Sequence, residues 1–289
     1  MSPVPATDGR DGPGSRAQNL ETLVDVEGVS KEFRVRGADG RSTQFRAVDN
    51  VSFTVERHGS LGIVGESGSG KTTLARILVG LEQPTSGTLA VGGATLDSRT
   101  PSRKARKLLG RSVQMVYQDP YSSLDPLQTI GAGLDEILRL RSDADPKRRK
   151  ERAGELLEQV GMGASHLTSR PSQMSGGQLQ RVAIARALAC TPRLLVLDEA
   201  VSALDVSVQG QALNLLSDLR ETLDVAYVFV SHDLAVVQQV SDHIIVMHHG
   251  QIVERGRTDH VLNQPKDEYT KTLLAAVPTA GWKPRTSSN

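Results

Sequence analysis

The chain contains the octapeptide Gly65-Glu66-Ser67-Gly68-Ser69-Gly70-Lys71-Thr72, which fits the pattern GxxxxGK[ST]. The short apolar run Leu61-Gly62-Ile63-Val64 comes directly before it, and a pattern of apolar residues at helical spacing continues to Leu81. This order predicts a buried strand, a tight loop and a helix. In such a loop, backbone N–H groups point at phosphate oxygens, and the helix adds its positive N-terminal end. The octapeptide therefore predicts a nucleotide site at the end of a strand.

The residues of this loop have distinct expected roles. We expect Lys71 to reach the β- and γ-phosphates of ATP and the Thr72 hydroxyl to bind Mg²⁺. A Gly/Ser-rich turn without function is the alternative, but the fixed positions and the strand–helix context disfavour it. The loop residues expected to bind the nucleotide are Gly65, Glu66, Ser67, Gly68, Ser69, Gly70, Lys71, Thr72 and Thr73.

A pair of acids follows a second buried strand. The apolar run Leu194-Leu195-Val196-Leu197 leads directly into Asp198 and Glu199. Ligands of open α/β sheets bind at the carboxyl ends of the strands, where this pair emerges. We expect Asp198 to hold Mg²⁺ and Glu199 to act as general base towards the attacking water. A loop start or a helix cap is the alternative for an isolated acid pair.

Composition narrows the class of protein. The 289 residues are 38% hydrophobic and 23% charged, which provides enough apolar material for a core. The net charge of +1 does not point to a nucleic-acid partner. The single cysteine, Cys190, excludes internal disulfides and clusters built from cysteines. We find no apolar run of about 18 residues, the length that a membrane-spanning helix requires, and we predict that residues 1–20 form a disordered leader without a signal sequence.

The order of the remaining patterns predicts the fold class. Alternating apolar residues over 22–35 and 46–56 indicate antiparallel strands around a turn at 37–40. A strand over 113–118 precedes a mostly helical block at about 129–189, and further strands lie at 227–230 and 244–247. We therefore predict an α/β fold with a parallel-sheet core, an antiparallel β flap and an inserted α-helical subdomain at about 119–189, within a domain spanning 21–262.

The pentapeptide Met174-Ser175-Gly176-Gly177-Gln178 opens a predicted helix upstream of the acid pair. Free backbone N–H groups and a hydroxyl at the start of a helix could bind a second anion. An ordinary N-cap followed by a flexible pair of glycines would explain the same residues. The residues alone leave both interpretations open.

This pentapeptide closely resembles the LSGGQ signature of ATP-binding cassette (ABC) proteins, and it lies between the phosphate loop and the acid pair as it does there. Gln118 matches the Q-loop glutamine of that family, 202–205 its D-loop, and His232 its switch histidine. With six elements in the same order over about residues 24–278, the chain resembles an ABC ATPase with a P-loop NTPase fold.

The resemblance implies roles for residues that physics alone does not assign. Such cassettes pair head to tail, so that each ATP lies between the loop of one subunit and the signature of the other, and an aromatic residue matching Phe33 stacks on adenine. The implied catalytic residues are Lys71, Gln118, Glu199 and His232. The implied Mg²⁺ ligands are Thr72, Gln118 and Asp198, and the implied nucleotide contacts from the signature and D-loop are Ser175, Gly176, Gly177, Gln178 and Asp205.

Three segments resemble the oligopeptide and dipeptide importer branch, namely 117–126, 199–205 and the C-terminal 263–289 with Tyr269-Thr270-Lys271. The branch implies a peripheral ATPase at the cytoplasmic face of the membrane, paired with a second ABC ATPase of the same or a related chain. It also implies two membrane permease subunits and, indirectly, an extracytoplasmic substrate-binding protein. Nickel or glutathione import and a non-transport ABC ATPase are the alternatives. The basic runs 103–107 and 147–152 favour solvated helix faces over a nucleic-acid site.

Overall fold

The computed structural model describes residues 22–36, 42–99, 101–202 and 204–276. The leader predicted for residues 1–20, the turn predicted at 37–40, Ala203 of the D-loop and the tail beyond residue 276 lie outside the described residues. Within these ranges, none of the helices has both the length and the apolar character needed to cross a bilayer.

The described strands are β1 (Thr22–Arg36), β2 (Ser42–Glu56), β3 (Ser60–Val64), β4 (Ser86–Val91), β5 (Ala94–Leu96), β6 (Val113–Val116), β7 (Leu194–Asp198), β8 (Ala226–Ser231), β9 (His243–His248) and β10 (Gln251–Arg257). The helices are α1 (Lys71–Leu78), α2 (Arg103–Ser112), α3 (Ile130–Arg141), α4 (Pro146–Gln159), α5 (Gly176–Leu188), α6 (Val206–Thr222), α7 (Leu234–Val240), α8 (Thr258–Asn263) and α9 (Glu268–Ala275).

A six-stranded sheet in the order β10-β9-β3-β8-β7-β6 forms the centre of the molecule. Its strands pair in parallel except β10, which runs antiparallel to β9. β3, β7 and β8 are buried along their whole length, as expected for apolar runs covered on both faces. The carboxyl ends of β3, β6, β7 and β8 meet at one edge, so the segments that follow these strands are brought together.

A second sheet, ordered β2-β1-β4-β5, is antiparallel and forms the predicted flap. Val24 and Val26 of β1 share one apolar cluster with Leu74 and Leu78 of α1 and with Val228 of the central sheet. Helix α1 therefore lies between the two sheets. The backbone N–H of Asp49 in β2 also donates to the carbonyl of Gly250 between β9 and β10, at 2.8 Å.

The helical block covers the other side of the central sheet. Leu134 of α3, Leu156 of α4 and Leu179 of α5 belong to the same apolar cluster as Leu197 of β7 and Phe229 of β8. Short 3₁₀ turns at Ala164–Thr168 and Pro171–Gln173 connect α4 to α5. The predicted α/β fold with an antiparallel flap and a helical insertion is confirmed.

Two predicted boundaries are wrong by a few residues. The strand predicted to reach Gln118 ends at Val116, where pairing with β7 stops and the chain turns at Asp119-Pro120. The helix predicted to continue to Leu81 ends at Leu78, because Gly80 adopts a φ of +74° and the chain reverses. Leu81 is consequently 60% exposed rather than packed on the helix face.

Candidate active site

The loop after β3 surrounds the ammonium group of Lys71. Nζ of Lys71 donates to the carbonyl oxygens of Gly65 and Glu66, both at 2.7 Å, and the side chain is buried. Gly70 has a φ of +103°, and a Cβ there would lie 2.2 Å from the carbonyl oxygen of Ala47. Because no side chain caps α1 at Gly70, its first N–H groups keep no side-chain acceptor among the described residues. The loop is thus a cradle that fits a phosphate.

Two of the three residues expected to bind Mg²⁺, Thr72 and Asp198, lie side by side. Oγ1 of Thr72 donates to Oδ1 of Asp198 at 3.3 Å, although 126 residues separate them. Burial, followed by the charge of neighbouring Glu199, raises the pKa of Asp198. A divalent cation would offset both effects, and the donors are the hard oxygen ligands that Mg²⁺ prefers. The arrangement fits the expected metal.

Glu199 follows β7 directly and has a left-handed backbone conformation. Its φ is +50°, in the left-handed region, while its N–H donates to the carbonyl of Val230 at 2.9 Å. A left-handed conformation costs a non-glycine residue about 1–2 kcal/mol. The carbonyl of Glu199 also accepts from the Ser202 hydroxyl at 2.9 Å. The backbone of this candidate catalytic residue is therefore held from two sides in a strained conformation, which it shares with four other non-glycine residues of the described ranges.

His232 lies just beyond β8, the strand next to β7, and Nδ1 of its ring is 3.2 Å from Oε1 of Glu199. Burial lowers the pKa of Lys71, and the negative charges of Glu199, Asp198 and Glu66 oppose that shift. The cation of the loop and the acids of β7 thus act on each other electrostatically. The structure brings Lys71, Thr72, Asp198, Glu199 and His232 together at one sheet edge.

Gln118 emerges at the same edge, since β6 pairs with β7, but it lies two residues beyond β6 and is exposed. Its side chain makes no hydrogen bond to any part of the chain that the structure describes. Its contact with the site stays a prediction.

The signature segment forms a reciprocal helix cap. The N–H of Gln178 donates to Oγ of Ser175 at 3.3 Å, and the N–H of Ser175 donates to Oε1 of Gln178 at 2.9 Å. A Cβ at Gly177 would meet Cγ1 of Val208 in α6 at 2.4 Å, whereas a Cβ at Gly176 would meet nothing within 4 Å. The segment therefore caps α5, and its contact with a nucleotide stays a prediction. Gly177 is required by packing against α6, and Gly176 faces open space.

Comparison with known proteins decides the family. A family model described as "ABC transporter" matches residues 48–202. The chain belongs to the ABC transporter family. It is 43% identical to the di/tripeptide transport ATP-binding protein DppF of Pseudomonas aeruginosa, over 90% of this chain and 80% of that one. It is also 44% identical to the glutathione import ATP-binding protein GsiA of Salmonella paratyphi A, over 90% of this chain and 42% of that one.

Among solved structures, the dimeric post-hydrolysis state of the ATP-binding cassette MJ0796 bound to ADP and Pi is similar, with a TM-score of 0.71 and 28% identity. The match covers 82% of this chain and 99% of that one. The ABC ATPase predicted from the motifs is confirmed, as is its place in the oligopeptide and dipeptide importer branch. The protein therefore binds and hydrolyses ATP.

A second aromatic residue of the flap lies beside Phe33 in this ABC ATPase. Phe33 in β1 pairs directly with Phe45 in β2, so both rings lie on the same face of the hairpin. Nζ of Lys31 lies 4.9 Å from the centre of the Phe33 ring, and Phe45 is 52% exposed. Phe33 remains the predicted adenine contact. The sequence did not indicate Phe45, because the strand pairing has several register shifts on the way to it.

Proposed function

We propose that this ABC ATPase couples ATP binding and hydrolysis to the uptake of di- or oligopeptides through separate membrane permease subunits. The observation that carries this proposal is the meeting of Lys71, Thr72, Asp198, Glu199 and His232 at one sheet edge. The chain is also 43% identical to a di/tripeptide transport subunit over most of its length. The peptide substrate class rests on that similarity.

The proposed chemistry uses the contacts described above. The loop N–H groups and Lys71 bind the phosphates, and Thr72 and Asp198, with Gln118 as a further ligand, would hold Mg²⁺. When bound, Mg²⁺ supplies positive charge next to the phosphates. Oε1 of Glu199 faces His232, so Oε2 is the oxygen placed to accept a proton from the attacking water.

We also propose that catalysis requires a second ABC ATPase subunit, either a copy of this chain or a related one. Ser175, Gly176, Gly177 and Gln178 would then contact the nucleotide on the partner, together with Asp205, and the open space at Gly176 supports this placement. The solved cassette MJ0796 is described as dimeric.

The wider assembly extends this proposal. Two permease subunits would place the protein peripherally at the cytoplasmic face of the membrane, with an extracytoplasmic substrate-binding protein on the other side. In this assignment the cassette spans residues 21–262, with its helical subdomain at about 119–189. The segment 263–289 corresponds to the C-terminal part of the peptide-importer branch.

Glutathione is the second candidate substrate, because the relative GsiA at 44% identity is named for glutathione import. Glutathione is itself a tripeptide, so both candidates belong to one chemical class. This chain spans less than half the length of that relative.

The experiment that tests the function uses the chain purified with the membrane proteins that accompany it from detergent-solubilised membranes. The complex is reconstituted in liposomes, and uptake of a labelled dipeptide is measured with ATP, with and without excess glutathione. ATP-dependent dipeptide uptake that is lost in Glu199→Gln supports the proposal, and competition by glutathione would favour the second substrate. The proposal would be refuted if no permease co-purified with the chain, or if the complex neither took up dipeptide nor changed its ATPase rate when peptide was added.

A further inference from the structure

The C-terminal helix α9 touches the phosphate loop from outside the strand–loop–helix unit. Oη of Tyr269 accepts a hydrogen bond from the backbone N–H of Glu66 at 3.0 Å, across 203 residues of chain. The Tyr269 ring also stacks on the imidazole of His248, with centroids 3.8 Å apart and planes tilted by 8°. Tyr269 is therefore fixed both through its ring and through its phenol oxygen.

The start of α9 is anchored to the central sheet. The carboxylate of Glu254 in β10 accepts from the N–H groups of Lys266 and Asp267, at 2.9 and 3.1 Å. Tyr269 and Leu273 of α9 pack against an apolar cluster that includes Val64, the residue immediately before the loop. The helix is thus docked beside the strand that leads into the phosphate loop, which brings the phenol within reach of Glu66.

The other end of the loop is held by the same corner of the sheet. The N–H of Gly250, in the turn between β9 and β10, donates to the carbonyl of Ser69 at 3.0 Å. Within the loop, the N–H of Ser69 donates to the carbonyl of Glu66 at 3.2 Å, and that carbonyl also accepts from Nζ of Lys71 at 2.7 Å. Glu66 therefore links the phenol of Tyr269 to the ammonium group of Lys71.

We propose that Tyr269 is a positioning residue for ATP binding, and that α9 preorganises the phosphate loop through it. The phenol holds the N–H of the Gly65–Glu66 peptide unit, and the carbonyl of that same unit, which is that of Gly65, accepts from Nζ of Lys71 at 2.7 Å. Without the bond, the free loop would adopt other arrangements. The apparent affinity for nucleotide falls in proportion to the fraction of loops in the competent arrangement. The expected effect is therefore on binding and not on the chemical step.

The test is Tyr269→Phe, which removes the acceptor oxygen and keeps a ring for the stack on His248. Because one hydrogen bond is lost, the Kd for the non-hydrolysable analogue AMP-PNP, measured in the presence of Mg²⁺, should rise by about two- to tenfold. The kcat of the full transporter complex should stay near that of the wild type. Amide hydrogen exchange at Glu66 should accelerate in the nucleotide-free protein, which reports directly on the lost bond.

Tyr227→Phe is the matched control. Tyr227 is buried, its hydroxyl has no partner within the described ranges, and it pairs with Ser60, at the end of β3 remote from the loop. The same loss of a phenol oxygen there should leave the Kd and the Glu66 exchange rate unchanged. A wild-type Kd in Tyr269→Phe would overturn the proposal, as would equal changes in the two variants. A raised Kd in Tyr269→Ala together with an unchanged one in Tyr269→Phe would assign the effect to ring packing and also overturn it.

Discussion

Nδ1 of His232 lies 3.2 Å from Oε1 of Glu199, although the two residues follow different strands. The contact exists because β7 and β8 are neighbours in a parallel sheet and both end at the phosphate edge. The backbone of Glu199, at the start of the segment that follows β7, is left-handed with a φ of +50°. The fold of a single chain therefore places an acid and an imidazole next to each other.

The first prediction concerns the proposed base. Glu199→Gln keeps the size of the side chain and an oxygen to face His232, but it cannot accept a proton from water. ATP turnover should fall by at least about 10²-fold while nucleotide affinity is retained. Turnover is measured by phosphate release and affinity by titration. Hydrolysis at the wild-type rate in this variant would show that Glu199 is not the general base.

The second prediction concerns the cation of the loop. Lys71→Ala removes a charged donor that is held within the loop by two carbonyl oxygens. A charged hydrogen bond contributes about 1.5–3 kcal/mol, so the Kd for ATP should rise by about 10- to 150-fold. Calorimetric titration with nucleotide checks this value, and Lys271→Ala, at an exposed position of α9, is the matched control for loss of a lysine. Equal affinities of Lys71→Ala and the wild type would contradict the assignment.

The third prediction concerns pH and stability. The pKa of Asp198 is raised in the folded state, so its contribution to stability is present below its ordinary pKa and is lost as pH rises through the raised value. At a pH above the raised pKa, the ionised Asp198 therefore opposes folding in metal-free buffer. Asp198→Asn should raise the Tm there by about a few degrees while abolishing hydrolysis. The gain should shrink at acidic pH.

Thermal scans in chelator at two pH values measure this difference. Thr72 can still donate to the amide oxygen of an asparagine at position 198, so the hydrogen bond is not a confounding loss. A Tm that falls equally at both pH values would show that the carboxylate stabilises the fold, contrary to the prediction.

The fourth prediction separates the two glycines of the signature. Gly177→Ala places a methyl group against Val208 and should destabilise the subunit by about 1–3 kcal/mol. Gly176→Ala meets open space and should leave the free energy of unfolding within about 0.5 kcal/mol of the wild type. If the partner's nucleotide occupies that space, Gly176→Ala should nevertheless weaken ATP-dependent dimerisation, measured by light scattering in the Glu199→Gln background. Normal dimerisation of Gly176→Ala would contradict the proposed placement.

Secondary structure that is determined by a few neighbouring residues could be predicted from the sequence. The strand, loop and helix around Lys71 could be predicted because apolar runs, glycines and helical spacing all act over a few residues. The meeting of Thr72 with Asp198 could be predicted as well, since parallel strands end at one edge. The end of β6 could not, because it depends on where pairing with β7 stops.

Contacts between distant segments account for what the sequence did not indicate. Phe45 lies opposite Phe33 only after several irregularities in the pairing of β1 with β2. The bond between Tyr269 and Glu66 depends on the docking of α9. Neither depends on a local propensity, so neither leaves a signal in the residues around it.

Gly250, in the turn between β9 and β10, is hydrogen-bonded to both the phosphate loop and the flap. Its N–H donates to the carbonyl of Ser69 in the loop, and its carbonyl accepts from the N–H of Asp49 in β2. The flap and the central sheet share no strand pairing in the described ranges. Besides this point, Nε2 of Gln251 donates to Asp49 and Nη1 of Arg255 donates to the carbonyl of Ser52.

If the flap tilts when it binds adenine, the hydrogen bond from Gly250 to Ser69 should transmit the displacement to the phosphate loop. Binding of the base and binding of the triphosphate would then be coupled. Gly250→Ala places a Cβ 3.0 Å from the carbonyl oxygen of Ala47 and should lower the affinities for ATP and for free pyrophosphate by different factors. Equal losses of affinity would show that the two ends of the nucleotide are bound independently.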